Sequence, residues 1–429
     1  MPRVSERSFI AETIAIGSEL LVGGRSDSNS LFIADQLGRS GIEVRYKSIV
    51  GDYRPDIVTA IQVAARRAGV IVMTGGLGPT IDDCTREAVA EVTGRRLARR
   101  KAAFEGMSAR LAQWGRTPNK GQRRQALIPS GAVVLPNPVG SAPGFALSWK
   151  RAMVIALPGV PREMEAMMEQ VVIPFLTDRL VQSATYPSPP IRRSVFHTWG
   201  LSEADIDTRL HGLITTGAPV ALGLLASPMG VLVSLTTKPH HSSSRMVFES
   251  LEQEVLARLG EWIFAEGQDT MEAVVGRLLS KQTRTVAFAE SCTGGLIGHR
   301  LTQVPGSSAY VDRGTICYSN RAKIDMLGVP GELIAAHGAV SREVAAAMAR
   351  GIRERAGVSV GLSVTGIAGP GGATEMKPVG LVYVGLDGGA DEPITKEFRF
   401  HGDRSMIKQR SSQAALDLLR RWLIDRGNE

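Results

Sequence analysis

Val70-Ile71-Val72-Met73-Thr74-Gly75-Gly76-Leu77-Gly78-Pro79-Thr80 decides the fold of the first part of this chain. Residues 70–73 are apolar at every position, so the strand they predict is covered on both faces, as a central strand of a parallel sheet is. Glycines and a proline then end it. Toward the N-terminus, Thr13-Ile14-Ala15-Ile16 reads as a strand and Ser28 or Asn29 as the cap of a helix through residues 31–37. Residues 44–50 follow as a strand and residues 56–67 as a helix. Toward the C-terminus, residues 152–157 form another apolar strand, stopped by Pro158-Gly159-Val160-Pro161. Such strand–helix alternation predicts an α/β, doubly wound sheet.

The alternation breaks at Ser183-Ala184-Thr185-Tyr186-Pro187-Ser188-Pro189-Pro190, which cannot continue a helix or an inner strand. Residues 191–266 carry short strands, of which 231–235 is the clearest, and helices at 203–210 and 245–259. They predict a small α+β middle domain without a catalytic constellation. From about Asp269 the α/β pattern resumes. A helix at 271–279 leads into a strand at 285–289, Ser341 caps a helix over 344–355, and strands follow at 358–364, 380–386 and 397–400. Ile407, Ala414, Leu418 and Trp422 recur at helical spacing in a last amphipathic helix. The expected organisation is therefore two three-layer α/β domains, residues 1–180 and 267–429, joined by a small α+β domain at 181–266.

A chain of 429 residues exceeds one ordinary core, in keeping with two or three domains. No stretch approaches the roughly 18–20 apolar residues of a membrane span. Met1-Pro2-Arg3-Val4-Ser5-Glu6-Arg7 is polar, unlike a signal peptide, so a cytoplasmic location is expected. Cys84, Cys292 and Cys317 lack CxxC spacing, which argues against a disulfide framework or structural zinc. His240-His241 reads as part of a solvated turn. The net charge of +8 is spread along the chain. Without a focused basic tract and interleaved aromatics, it suits anionic small molecules as well as nucleic acid, and direct nucleic-acid binding is not expected.

Two sets of strand-end loops carry the chemistry. In the C-terminal part, Glu290-Ser291-Cys292-Thr293-Gly294-Gly295 joins a strand to a helix at residues 296–301. Ligands sit beyond the carboxyl ends of strands in open α/β sheets, and a helix start there offers free N–H groups to a phosphate or an oxyanion. The plainer reading is that Ser291 or Thr293 only caps the helix. Two further loops shift the balance: Cys317-Tyr318-Ser319-Asn320-Arg321-Ala322-Lys323 and Thr365-Gly366-Ile367-Ala368-Gly369-Pro370-Gly371-Gly372. Three such loops in one small domain are hard to explain as turns alone. In the N-terminal part, Gly75, Gly76 and Gly78 precede Thr80, Asp82 and Asp83 in a loop that is neither a Walker A motif nor a complete GxGxxG. Asp82 and Asp83 either hold a divalent metal through oxygen ligands or favour the dipole of the following helix.

Taken together, AESCTGG (289–295), YSNRAK (318–323) followed by LGV, HGAVS (337–341), TGIAGPGG (365–372) and KPVGLVYVGL (377–386) resemble the C-terminal family of CinA proteins, the nicotinamide-mononucleotide amidohydrolases. The resemblance implies hydrolysis of nicotinamide mononucleotide to nicotinic acid mononucleotide and ammonia, without a cofactor and with Ser291 as nucleophile. A serine needs a base, and Lys323, Tyr318 or both are candidates, since no His-Asp pair lies in these motifs. Cys292, at a helix start, is the rival nucleophile. Thr293 and Gly294 would supply ligand or oxyanion contacts. Thr365, Gly366, Gly369 and Gly371 would line the phosphate or ribose side, with Arg404 as a phosphate partner. Lys408 stands where the family usually has arginine, which loses bidentate geometry but keeps the charge.

Residues 9–178 resemble the MoaB/MoeA-like molybdopterin-binding fold in its CinA N-terminal form. The resemblance rests on Ile16-Gly17-Ser18-Glu19-Leu20-Leu21, Asp27-Ser28-Asn29, the residue 75–85 loop, Asn137-Pro138-Val139-Gly140-Ser141-Ala142-Pro143-Gly144 and Leu157-Pro158-Gly159-Val160-Pro161. It implies an ADP-ribose pyrophosphatase dependent on Mg²⁺, Mn²⁺ or Co²⁺. Asp82, Asp83 and Glu19 are its metal candidates, and Gly75, Gly76, Gly78, Thr80, Asn137, Gly140, Pro158 and Gly159 its substrate contacts. Both substrates are breakdown products of NAD, and the family resemblance implies a homodimer. Two alternatives stand beside this: a pterin-binding N-terminal module, or a non-catalytic competence factor acting through DNA or partner proteins.

Overall fold

The computed structural model describes residues 10–182, 191–215, 218–237, 245–389 and 392–427. The polar N-terminal heptapeptide, the Pro/Ser-rich break and His240-His241 lie outside these residues. Contacts divide the chain into two compact units, one of Met1–Arg192 with Thr237–Ser242 and one of Arg193–Thr236 with Ser243–Glu429.

In the first unit a six-stranded sheet runs Glu43–Val50, Ile10–Ile16, Val70–Thr74, Ala152–Leu157, Gly144–Trp149, Val133–Leu135. The first four are mutually parallel. The last two are antiparallel additions, so the sheet is mixed rather than uniformly parallel. Val70 and Val72 feed one core with Ile33, Leu37, Met164 and Met167, while Ile71 and Met73 feed another with Ile57, Ile61, Ala88 and Val89. That two-sided burial is the physical reason for the unbroken apolar run, and it makes the unit three-layered. The helix cap expected at Ser28 or Asn29 is Asp27, whose carboxylate accepts from Ser30 N at 2.9 Å. The second helix begins at Arg54, two residues early, because Pro55 fits the first turn.

In the second unit the strands Val311–Ile316, Val286–Glu290, Val360–Gly366, Leu381–Asp387 and Ile394–Arg399 form a five-stranded sheet in that order. The first three are parallel and the last two antiparallel. Val286 and Phe288 face a core with the helices Met271–Lys281, Leu296–Thr302 and Arg404–Gly427; Ala287 and Ala289 face the helices Asn320–Leu327 and Arg342–Ala356. Ser341 caps the last of these, accepting from Val344 N. The middle segment folds as the four-stranded sheet Val220–Ser227, Gly230–Thr237, Arg193–Thr198, Ile263–Glu266 with helices Glu203–Arg209 and Arg245–Leu259. Among the described residues no helix is long and apolar enough to cross a membrane.

Candidate active site

Ser291 follows the inner strand Val286–Glu290, flanked on both sides by parallel neighbours. Ser291 N donates to Val364 O and Cys317 N to Glu290 O, both at 2.9 Å, so three strand ends meet at one point. Lys323 reaches this point from the first turn of helix Asn320–Leu327, which Ser319 caps through Ala322 N. Lys323 and Leu327, four residues apart, share the inward face. The lysine is 1% exposed, and its Nζ lies 3.0 Å from Ser291 Oγ, 2.9 Å from Cys317 O and 3.4 Å from Tyr318 O. Burial pushes its pKa below that of an ordinary lysine. A neutral amine has two N–H donors and one lone pair. In that neutral form the carbonyls of Cys317 and Tyr318 would take both donors and leave the lone pair for the serine hydroxyl.

Tyr318 stands differently. Its side chain is 59% exposed, and its hydroxyl accepts from Arg404 Nη2 at 2.8 Å. Among the described residues the Tyr318 hydroxyl makes no hydrogen bond to Ser291 or Lys323. Arg404, the first residue of the long C-terminal helix, also donates to Gly369 O at 2.6 Å, so it ties the second and third loops together. Lys408 lies one helical turn on, with Nζ 3.6 Å from where a Gly294 side chain would begin. Thr365 donates to Ala339 O, and the Thr293 hydroxyl is buried without a partner. Cys292 is buried beside the nucleophile candidate, and desolvation pushes its thiol up to about 12.

Neither Ser291 nor Thr293 caps helix Leu296–Thr302. Glu290 does: one carboxylate oxygen accepts from Gly295 N at 3.0 Å and Ile297 N at 3.1 Å, the other from Gly298 N at 2.9 Å. Gly295 makes this return possible, since its φ of 95° lies where a side chain would be strained. The N–H groups expected to serve a phosphate are therefore already satisfied by a carboxylate from the same loop. The backbone N–H groups of Cys292 and Thr293 donate to no other residue among those described. Sequence reasoning missed Glu290 because it counted only short polar residues as caps. Replacing Glu290 with alanine would leave three N–H groups without an acceptor. The expected cost is about 2–4 kcal/mol, read as a fall of roughly 5–10 °C in melting temperature, with loss of the Ser291 geometry.

In the N-terminal unit the predicted loops also converge. Asn29 Nδ2 donates to Thr74 Oγ1 and Gly159 O, both at 2.9 Å, and Thr74 Oγ1 donates to Pro158 O at 3.1 Å. Gly75, at φ 111°, packs so closely on Ile16 that a Cβ would lie 2.1 Å from its carbonyl oxygen. Asn137 Oδ1 accepts from Val139 N and Gly140 N, while its Nδ2 donates to Glu163 Oε2 at 2.7 Å. Glu163 was not singled out in the sequence; burial raises its pKa. Nor was Arg86, which is buried beneath the first loop and donates to Leu77 O and Gly78 O.

Of the metal candidates, Asp83 is engaged within its own loop. Both Asp83 oxygens are occupied, one by Gly78 N at 2.7 Å and the other by Thr80 N and Oγ1 at 2.8 and 2.6 Å. Glu19 folds back over Gly17, and Asp82 is exposed. Among the described residues no group of three His, Cys, Asp or Glu side chains is placed to hold a metal ion. Asp83 thus staples the residue 78–83 loop.

Fold and loops define a multidomain α/β protein with a cluster of strand-end loops in each unit. Residues 12–178 match the family described as "Probable molybdopterin binding domain", residues 193–265 "Damage-inducible protein CinA KH domain" and residues 268–423 "CinA C-terminal domain". The chain is 42% identical to a protein of Halothermothrix orenii that carries the provisional name competence-damage inducible protein, over 97% of this chain and 99% of that one. It is 39% identical to a CinA-like protein of Geotalea uraniireducens, over 96% and 97%. A solved structure of a competence/damage inducible protein from Agrobacterium tumefaciens is 42% identical over 35% of this chain and 93% of that one, with a TM-score of 0.34. The chain belongs to the CinA family.

Proposed function

We propose that the C-terminal domain is a serine amidohydrolase that converts nicotinamide mononucleotide to nicotinic acid mononucleotide and ammonia. The observation that carries this is the buried Lys323 amine, 3.0 Å from Ser291 Oγ and otherwise bound, among the described residues, only to backbone carbonyls. In the reaction the neutral amine takes the Ser291 proton as Oγ bonds to the carboxamide carbon. The oxyanion that forms has the free N–H groups of Cys292 and Thr293 within the same loop. The Lys323 ammonium then returns its proton to the departing nitrogen, and ammonia leaves. Water, deprotonated by the same amine, cleaves the resulting ester and releases the acid. Arg404 and Lys408 supply positive charge for the nucleotide phosphate. Ammonia release from nicotinamide mononucleotide by the purified chain tests the reading, and its absence would remove it.

For the N-terminal unit the convergence of the residue 75–80, 137–140 and 158–159 loops supports a site for a diphosphate, with ADP-ribose as its substrate. Among the described residues no three-ligand cage is formed, so any divalent ion would arrive on the diphosphate. AMP release from ADP-ribose with Mg²⁺, Mn²⁺ or Co²⁺ is the expected result; bound pterin in the purified protein with no AMP released would favour the pterin module instead. In residues 193–265 acidic side chains outnumber basic ones, which supports small molecules rather than nucleic acid as the ligands.

A further inference from the structure

The middle segment touches the C-terminal domain at a place that bears on the site. Trp199 and Phe264 pack on the same hydrophobic core as Val379, Phe398 and Phe400. The Trp199 and Phe400 ring centroids are 6.4 Å apart, and Phe400 stacks on Phe398 at 5.4 Å. From Phe400 two routes lead inward. Phe400 N donates to Gly380 O, Gly380 N to Ile367 O, and Ile367 N to Leu381 O, which fixes the start of the glycine-rich loop. Val379 also closes on Gly369, where a Cβ would lie 2.7 Å from the valine methyl. Gly369 O in turn receives Arg404, four residues beyond Phe400 and bonded to the Tyr318 hydroxyl.

We propose that the middle segment is a positioning element for the amidohydrolase site: Trp199, acting through Phe400, holds the Thr365–Gly372 loop and Arg404 in place and so sets affinity for the anionic substrate. This rests on the amidohydrolase reading above. Trp199 touches neither Ser291 nor Lys323 among the described contacts, so the chemical step is left alone. The same segment grips the far end of the Arg404 helix. Arg420 donates to Glu261 O, Arg421 pairs with Glu261, and the Arg421 guanidinium lies 5.3 Å from the centre of the Trp262 ring. The middle segment thus holds the far end of this helix directly and meets Phe400, four residues before its start.

The test uses the full chain. In Trp199→Ala the KM for nicotinamide mononucleotide is expected to rise about fivefold to tenfold, with kcat changed by less than about twofold. Trp199→Phe, which keeps a ring against Phe400, restores the wild-type KM. Hydrogen exchange of peptides covering residues 365–372 is faster in the alanine variant and returns to normal in the phenylalanine variant. If Trp199→Ala fails to fold, Phe400→Leu carries the same expectations. Unchanged exchange, a fall in kcat at constant KM, or no rescue by phenylalanine would each overturn the inference. Should the wild type release no ammonia, the amidohydrolase reading falls, and the exchange measurement alone decides the positioning claim.

Discussion

Ser291→Ala is expected to lower ammonia release from nicotinamide mononucleotide by about ten-thousandfold or more, because no other nucleophile is placed to replace it. The neighbouring thiol does not fill that role. Cys292 is buried and its pKa is pushed up to about 12, so almost none of it is thiolate at neutral pH. A helix start lowers a thiol's pKa only when its N–H groups are free to face the sulfur. Here Glu290 holds three of them and adds a negative charge nearby. Cys292→Ala is therefore expected to keep activity within about threefold of wild type, the change coming from the small space it leaves. A serine-directed sulfonyl fluoride should label Ser291 in wild type and in Cys292→Ala, and label neither Ser291→Ala nor the cysteine. Full activity in Ser291→Ala, or its loss in Cys292→Ala, would reverse the assignment.

How much of this was legible beforehand depends on what kind of fact it is. Strand and helix positions follow from burial, and burial leaves a local pattern. Residues 70–73 had to be a central strand because Val70 and Ile71 feed opposite cores, and the helix over residues 245–259 matches end to end. Strands Val133–Leu135 and Gly144–Trp149 escaped notice since one is short and both pair antiparallel, outside the strand–helix rhythm. Within the site, sequence names which loops meet but not which atoms do. Nothing in the sequence marks Glu290 as a cap, and Asp83 reads there either as a metal ligand or as a partner of the helix dipole. Each satisfies backbone N–H groups of its own loop, a demand set by chain geometry that no residue type announces. Choosing between Lys323 and Tyr318 likewise required coordinates. Both lie in one motif, but the helix turns the lysine inward while Arg404 holds the tyrosine at the surface.

Lys323→Met is expected to reduce kcat by about a thousandfold to ten-thousandfold, the range for losing a positioned general base, while Tyr318→Phe keeps activity within about tenfold. In wild type, kcat/KM should rise with pH as the Lys323 ammonium loses its proton, and level off at a pH below that of an ordinary lysine, because burial lowers its pKa. Lys323→Met should lack this limb. The same shift has a signed effect on stability. A lysine whose pKa is lower folded than unfolded is neutral in the native state and charged in the unfolded one between the two values. In that window the unfolded state binds more protons, so stability increases with pH. The destabilising contribution of Lys323 is fully present below the folded pKa and disappears as pH rises past the unfolded one. Methionine, which does not titrate, should flatten that part of the stability profile. The slope is the decisive readout, since removing the amine also frees the carbonyls of Cys317 and Tyr318 and shifts the absolute level. An equal slope in wild type and Lys323→Met would mean that Lys323 is charged in the folded protein, and an amine carrying that proton cannot take another from Ser291.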